Sequence, residues 1–407
     1  MYRFEAHVPA KEHDDFNRAH ELGNLLQTSA WAKVKDNWDH ELVGVYEENQ
    51  LVASALVLIK ALPLHFSMMY IPRGPIMDYT NASLLSFFFQ EMRKWAKQRH
   101  CLFIKMDPTI HINDYPIEAQ NTDYYEIKEI VLRNMKDAGC IHQGFTTYIK
   151  ESIQPRFQAN VYFDENFEQH LPRHTKRLIK DALRRHVKAV QADSSRIDEF
   201  SAVVLMTEER KHVALRNQEY FKQLMEIYGD DAVLFLAEVD VNENLDRLAK
   251  EKAENEKQLA NLKEGQPKKA RRLEDMKRGI ERDIQEFEAI PLEAREKTVI
   301  AGILSVRCGD TLEMLYAGMD DRFKKFMPQY YLYTETMKYA FAHGMKFANM
   351  GGVEGDLKDG LTKFKSNFNP MINEFIGEFD LPVNRLLYKA SRVAYQMRKE
   401  RMAKRKN

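Results

Sequence analysis

Apolar positions along the chain switch between two periods, and each switch marks an element. Leu42–Tyr46, Leu51–Ile59 and Met68–Ile71 are short apolar runs separated by polar or proline punctuation, which predicts strands. From Ser83 to Arg99 the residues Leu84, Leu85, Phe88, Met92, Trp95 and Ala96 recur at helical spacing. Leu102–Met106 is a further strand, closed by Asp107-Pro108. The alternation predicts an α/β or α+β unit. A second block begins near Tyr148. It holds a strand at Phe157–Tyr162, a basic helix over Arg173–Val190, a helix over Phe200–Arg210, and strands at Val233–Val239, Thr298–Val306 and Thr311–Ala317. A last helix, Gln329–His343, stops at Gly344, a natural C-terminal cap. Two blocks of comparable size point to a duplicated fold, although no exact sequence repeat joins them.

Leu245–Phe287 breaks this pattern. Leu245, Leu248, Leu259 and Leu262 keep a/d heptad spacing, Gly265-Gln266-Pro267 interrupts it, and Leu273, Met276, Ile280 and Phe287 resume it. Lys252 and Asn255 make the middle of the stripe polar. The segment reads as an antiparallel helical hairpin projecting into solvent; a charged linker is the alternative.

With 407 residues the chain exceeds what one core organises, so two domains are expected. Its 61 basic residues balance 61 acidic ones, so contact with nucleic acid or membrane must come from local patches. Cys101, Cys140 and Cys308 form no CxxC pair, which argues against a disulfide framework or a zinc module. The N-terminus has neither the basic nor the apolar region of a signal peptide, and the longest apolar run, Leu51–Ile59, is too short for a bilayer. A reduced, cytosolic protein is expected, with peripheral contact at the inner membrane face left open.

Several chemistries drop out. Gly355–Thr362 imitates a phosphate-binding loop but places Leu361 where the lysine belongs. There is no GxGxxG, no GxSxG and no HExxH, so neither a cofactor nor a metal is expected. Arg173, Lys176, Arg177, Lys180, Arg184 and Lys188 recur at helical spacing, which suits a phosphate backbone or an ordinary solvated face. The basic tail, Arg398–Lys406, suits an anionic leaflet or a frayed helix end. If helical, Trp31, Lys35 and Trp38 share one face, where two indoles flanking an ammonium suit a sugar or phosphate. Two core tryptophans with an incidental lysine are the alternative.

Asn349-Met350-Gly351-Gly352-Val353-Glu354, followed by Lys363-Phe364-Lys365-Ser366-Asn367-Phe368, resembles the signature of the Fem family of non-ribosomal peptidyltransferases. Gln27-Thr28-Ser29-Ala30-Trp31 with Lys35, Ile71-Pro72-Arg73-Gly74-Pro75, Asp107-Pro108, the basic helix, Arg216 with Tyr220, Tyr316-Ala317-Gly318 and the hairpin extend the resemblance over nearly the whole chain. It implies two GNAT-like domains: residues 1–148 completed by the returning segment 377–407, and 149–376 carrying the coiled-coil hairpin at 243–293. It further implies transfer of serine, alanine or glycine from aminoacyl-tRNA to the stem-peptide lysine of a peptidoglycan precursor, either lipid II or its UDP-linked form. DNA is not an expected partner.

By resemblance, Lys365 supplies the cation near the tRNA end and the oxyanion, with Phe364 stacking beside it. Lys35, Arg216, Tyr220 and Tyr316 match positions that hold the precursor, and Trp38 matches a pocket residue of one branch. Asp107 and Glu378 are acidic positions able to collect the proton, although Asp107-Pro108 also reads as a turn cap. A tRNA-binding synthetase-like protein is the different-class alternative, but the GxGxER signature of its ATP site is missing. A non-catalytic protein displaying the hairpin is the other.

Overall fold

The computed structural model describes residues 1–119, 123–211, 216–263 and 265–392. The basic tail from Arg398 to Lys406 lies outside the described residues. The strands are β1 Tyr2–Glu5, β2 Asp39–Glu47, β3 Gln50–Ala61, β4 Ser67–Ile71, β5 Ile76–Met77, β6 Cys101–Met106, β7 His111–Pro116 and β8 Ile141–His142. They continue as β9 Phe157–Tyr162, β10 Lys188–Ala192, β11 Ala232–Val239, β12 Thr298–Cys308, β13 Thr311–Met319, β14 Phe347–Val353, β15 Met371–Phe375 and β16 Phe379–Pro382. One sheet runs β1-β2-β3-β4-β6-β16-β8 with β5 on β3, and the other β10-β11-β12-β13-β14-β9-β15-β7. The mixed class expected from the alternation, α/β or α+β, is the one observed, as two mixed sheets with helices packed on them.

The sheets exchange strands. β16, near the end of the chain, completes the first sheet between β6 and β8, while β7, from the first third, pairs with β15 in the second. Neither sheet is therefore built from one continuous stretch, and the crossing strands tie the two halves together.

Helix Ala82–Gln98 buries Leu84, Leu85, Phe88, Phe89, Met92, Trp95 and Ala96 against the first sheet, the stripe its spacing predicts. The opposite face of that sheet offers Leu56, Leu58 and Tyr70 to Trp31, Ala32 and Val34, and Tyr220 and Tyr228 of the second half pack on the same cluster. The second sheet is covered on both sides. Leu312 and Met314 join one core and Leu304, Val306 and Tyr316 the other.

The basic helix is shorter than its sequence suggests. It covers Arg173–Arg184 and ends in a left-handed turn at His186 (φ 53), where Val187 N–H returns to the Ala182 carbonyl and His186 N–H to Leu183. Lys188 consequently opens β10 instead of extending the helical stripe. Leu183, expected on the apolar side, is exposed.

The hairpin is present as helices Val241–Ala260 and Pro267–Glu288. Val241, Leu248, Ile280 and Phe287 root it in the core of the second sheet, and the remaining length projects beyond that core. Its polar middle is cross-linked: Asn255 Nδ2 donates to the Leu273 carbonyl at 3.2 Å, and Lys252 meets Glu281 at 3.3 Å. Met276, expected in the seam, is instead 50% exposed. A buried polar residue at a seam position fixes register at a cost in stability. Asn255→Leu is therefore expected to stabilise the hairpin by about 1 kcal/mol, read as slower amide exchange over residues 241–288. Faster exchange would show that the bond to Leu273 is worth more than an apolar pair.

Candidate active site

β13 and β14 run parallel but pair only at Thr311↔Phe347, Leu312↔Ala348 and Glu313↔Asn349. β13 continues to Met319 and β14 to Val353, so beyond Glu313 and Asn349 the strands part. In the first sheet the corresponding parallel pair, β4 with β6, stays joined to its last residues, Ile71↔Met106. The opening thus belongs to the second sheet, with Tyr316 on one lip and Gly351-Gly352 on the other.

Lys365 is seated on the Gly-Gly lip. Asp359 caps the start of the short helix Gly360–Lys365 by accepting from Leu361 and Thr362 N–H, and Lys365 is the last residue of that helix. Its Nζ donates to the Gly352 carbonyl at 2.7 Å, and the residue is only 3% exposed. A Cβ at Gly352 would lie 2.4 Å from Pro155 Cγ, and Gly351 holds φ at 81°, so this lip requires both glycines. Phe364 turns the other way, into Tyr330, Tyr333 and Phe368, and anchors the helix in the core.

Opposite lies a cluster drawn from both halves. Helix Ser29–Val34 is capped by Thr28 and stops one residue before Lys35, so the helical face expected to carry Trp31, Lys35 and Trp38 does not form. The chain turns at Lys35, whose Nζ folds back to 4.9 Å from the centre of the Trp31 ring. Trp38 remains nearby, packed on the same cluster as Tyr220, and Lys60 covers its ring. From the second half, Tyr316 OH donates to Tyr220 OH at 3.0 Å, and the Arg216 guanidinium lies 5.0 Å above the Tyr220 ring. Burial, together with the adjacent Arg216 charge, holds Lys35 below the usual lysine range. Burial likewise raises the Tyr220 phenol, which stays a neutral hydroxyl. Among the described residues neither Lys35 nor Arg216 has a carboxylate within ion-pair reach. Two cations and two phenols facing one cleft suit an anion such as a pyrophosphate.

The two expected proton acceptors are both engaged. Asp107 Oδ1 accepts from Tyr70 OH at 3.0 Å and Arg73 N–H at 2.8 Å, and burial pushes its carboxyl up to about 6. Glu378 pairs with Lys105 at 3.0 Å and accepts from the Ile153 N–H. The basic helix divides similarly. Arg173, Arg177 and Lys180 are exposed and have no acidic partner among the described residues, and Lys176 donates to the Gln169 carbonyl. Arg184, expected to meet a ligand, is instead paired with Asp283 of the hairpin, and its neighbour Arg185 with Glu286. Those pairs fix the hairpin's root.

Three residues escaped the sequence reading. Arg73 and Asn349 stood inside quoted motifs without a role, whereas Glu313 had only a weak signal, a polar group at an alternating position of an apolar strand. The structure places them together at the point where β13 and β14 part.

A two-sheet α+β fold with an inserted hairpin, a parted strand pair and a cationic interdomain cleft defines the class. The model of the FemAB family matches residues 8–396, and the chain belongs to that family. It is similar to the lipid II:glycine glycyltransferase of Staphylococcus aureus (strain USA300), 29% identical over 413 residues, 94% of this chain and 93% of that one. The same-named protein of strain bovine RF122 / ET3-1 is 28% identical over 406 residues, with the same coverage. Among solved structures, FemX superposes with a TM-score of 0.77 at 27% identity, covering 95% of this chain and 99% of FemX. No helix among the described residues is long and apolar enough to cross a membrane.

Proposed function

We propose that this protein transfers an amino acid from aminoacyl-tRNA to the stem-peptide lysine of lipid II. The observation that carries the reading is the cleft itself: Lys365 on one lip of the parted strands, Lys35 and Arg216 across it without acidic partners among the described residues. The relatives' names supply the acceptor, lipid II, and glycine as one donor residue. Residues 1–148 with the returning segment after 377 form the acceptor side, and 149–376 the donor side, with β7 lent across.

The chemistry asks little of the protein. An aminoacyl ester is already activated, so the enzyme aligns the amine with the ester carbonyl and stabilises the oxyanion that develops. Lys365 supplies the cation for that oxyanion, held in place before reaction by Gly352. Lys35 and Arg216 hold the precursor's pyrophosphate, and Tyr220, Tyr316 and Trp38 line the path of the stem peptide. The exposed cations Arg173, Arg177 and Lys180 meet the tRNA backbone.

Mass spectrometry of lysine-containing lipid II, after incubation with a pool of charged tRNAs, tests the reading. A mass increase of one serine, alanine or glycine per lipid is expected; an unchanged lipid with every tRNA overturns it. Transfer to lipid II in anionic vesicles is expected to exceed transfer to the UDP-linked precursor at equal concentration. Each basic residue near an anionic leaflet adds about 1 kcal/mol, so deleting the tail from Arg398 should shrink that advantage. Preference for the nucleotide substrate would move the protein to soluble precursors.

A further inference from the structure

The transfer reading leaves the proton of the attacking amine without a taker, since Asp107 is buried, with Oδ1 accepting from Tyr70 and Arg73 and Oδ2 closed to solvent, and Glu378 is paired with Lys105 and Ile153. A third carboxylate, Glu313, stands where β13 and β14 part. Across the β12–β13 ladder Glu313 faces Val306 and Tyr316 faces Leu304, with an irregularity between that absorbs Leu315. Leu304 and Val306 belong to the same core, so Glu313 and Tyr316 lie on one face of the sheet. That is the face turned toward Tyr220 and the first half.

Glu313 is also the last paired residue before the strands part, level with Asn349. Asn349 Oδ1 accepts the Gly351 N–H at 2.8 Å, and the next residue, Gly352, receives Lys365 at 2.7 Å. From the first half comes Arg73. Its N–H is held by Asp107, its guanidinium donates to the Pro155 carbonyl at 2.7 Å, and its charge acts on Glu313. Glu313 therefore lies at the floor of the opening, between the Lys365 lip and the Tyr316 lip, and is only partly buried.

We propose that Glu313 is the catalytic residue that accepts the proton of the attacking amine. The neutral amine forms the new N–C bond to the ester carbonyl, and one N–H proton passes to the Glu313 carboxylate. When the tetrahedral intermediate collapses, the bond from carbonyl carbon to ribose oxygen breaks, and the ribose oxygen leaves as a hydroxyl with that proton. Charge and atoms balance with no further reagent. Asp107 becomes a positioning residue that holds Arg73, which has a left-handed backbone (φ 54).

The groups facing Glu313 fit this role. Burial pushes its carboxyl up to about 7, while Arg73 and a hydrogen bond from Asn349 pull it down. Cys308, the thiol at the end of β12, is pushed up to about 12 by burial and stays uncharged. A base that titrates near the working pH is the efficient one. This inference rests on the transfer reading, and one experiment separates the two.

The kcat of transfer is measured from pH 5.5 to 8.5 for the wild type, Glu313→Gln, Glu313→Asp and Asp107→Asn. The wild type should lose rate below about pH 7, where the base becomes protonated. Glu313→Gln should lower kcat by about 10²-fold or more and remove that acid limb, with KM for both substrates nearly unchanged. Glu313→Asp should recover part of the rate and the limb. A merely structural Glu313 would be served by glutamine, which keeps the acceptor for Asn349. A Glu313→Gln protein within threefold of wild type and retaining the limb overturns the assignment. So does loss of the limb in Asp107→Asn alone. A wild type inert toward every charged tRNA overturns the transfer reading and this inference with it.

Discussion

Lys365→Ala is expected to lower transfer by about 10²–10³-fold, the usual cost of removing a preorganised charge from a developing oxyanion. The alanine also leaves a void in a closed site and an unsatisfied Gly352 carbonyl, so part of any loss would reflect packing. Lys365→Met separates the two effects, because methionine fills the volume without the charge. The methionine protein should melt near the wild-type temperature and still fail to transfer. Near-normal turnover by either variant would remove Lys365 from the mechanism.

Reversing Arg173, Arg177 and Lys180 together to glutamate should raise KM for aminoacyl-tRNA far more than KM for lipid II. Each lost phosphate contact removes about 0.9 from the slope of log affinity against log salt. Between 50 and 200 mM salt the wild type should therefore lose about 40-fold more affinity than the triple variant. Arg184 is left out of the variant because it is paired with Asp283, and reversing it would loosen the hairpin. Equal changes in both KM values, or no change in salt slope, would return the helix to an ordinary solvated face.

Much of the fold was legible because local physics decides it. The apolar runs at Leu42–Tyr46 and Leu51–Ile59, the stripe on Ala82–Gln98 and the broken heptads of the hairpin all formed as their periods predict. Gly344 ends its helix as expected, with φ at 81° and Met345 N–H returning to Ala340. Local signals failed where a turn depended on a residue with no special propensity. His186 takes a left-handed conformation and ends the basic helix early, and Lys35 sits past the end of a short helix instead of within a long one.

The residues of the candidate cleft, taken one by one, stand in motifs that sequence alone exposes: Lys35, Trp38, Arg216, Tyr220, Tyr316 and Lys365. Their relation was not. Trp31 and Tyr220 meet in one cluster from positions 189 residues apart, and period and propensity carry no information at that range. Which charges are free was equally hidden. Arg184 and Arg173 look alike in the sequence, and only the docked hairpin brings Asp283 onto the first. Asp107 and Glu378 look available until Tyr70, Arg73 and Lys105 close on them. Glu313 looks like a stray charge in an apolar strand until β13 and β14 part beside it. Sequence determined the elements and the inventory of reactive groups, because those depend on neighbours within a few residues. Tertiary structure decided which groups share a cleft, which are spent on each other and which carboxylate faces the opening, because partner, burial and dielectric are set by chains that meet only on folding.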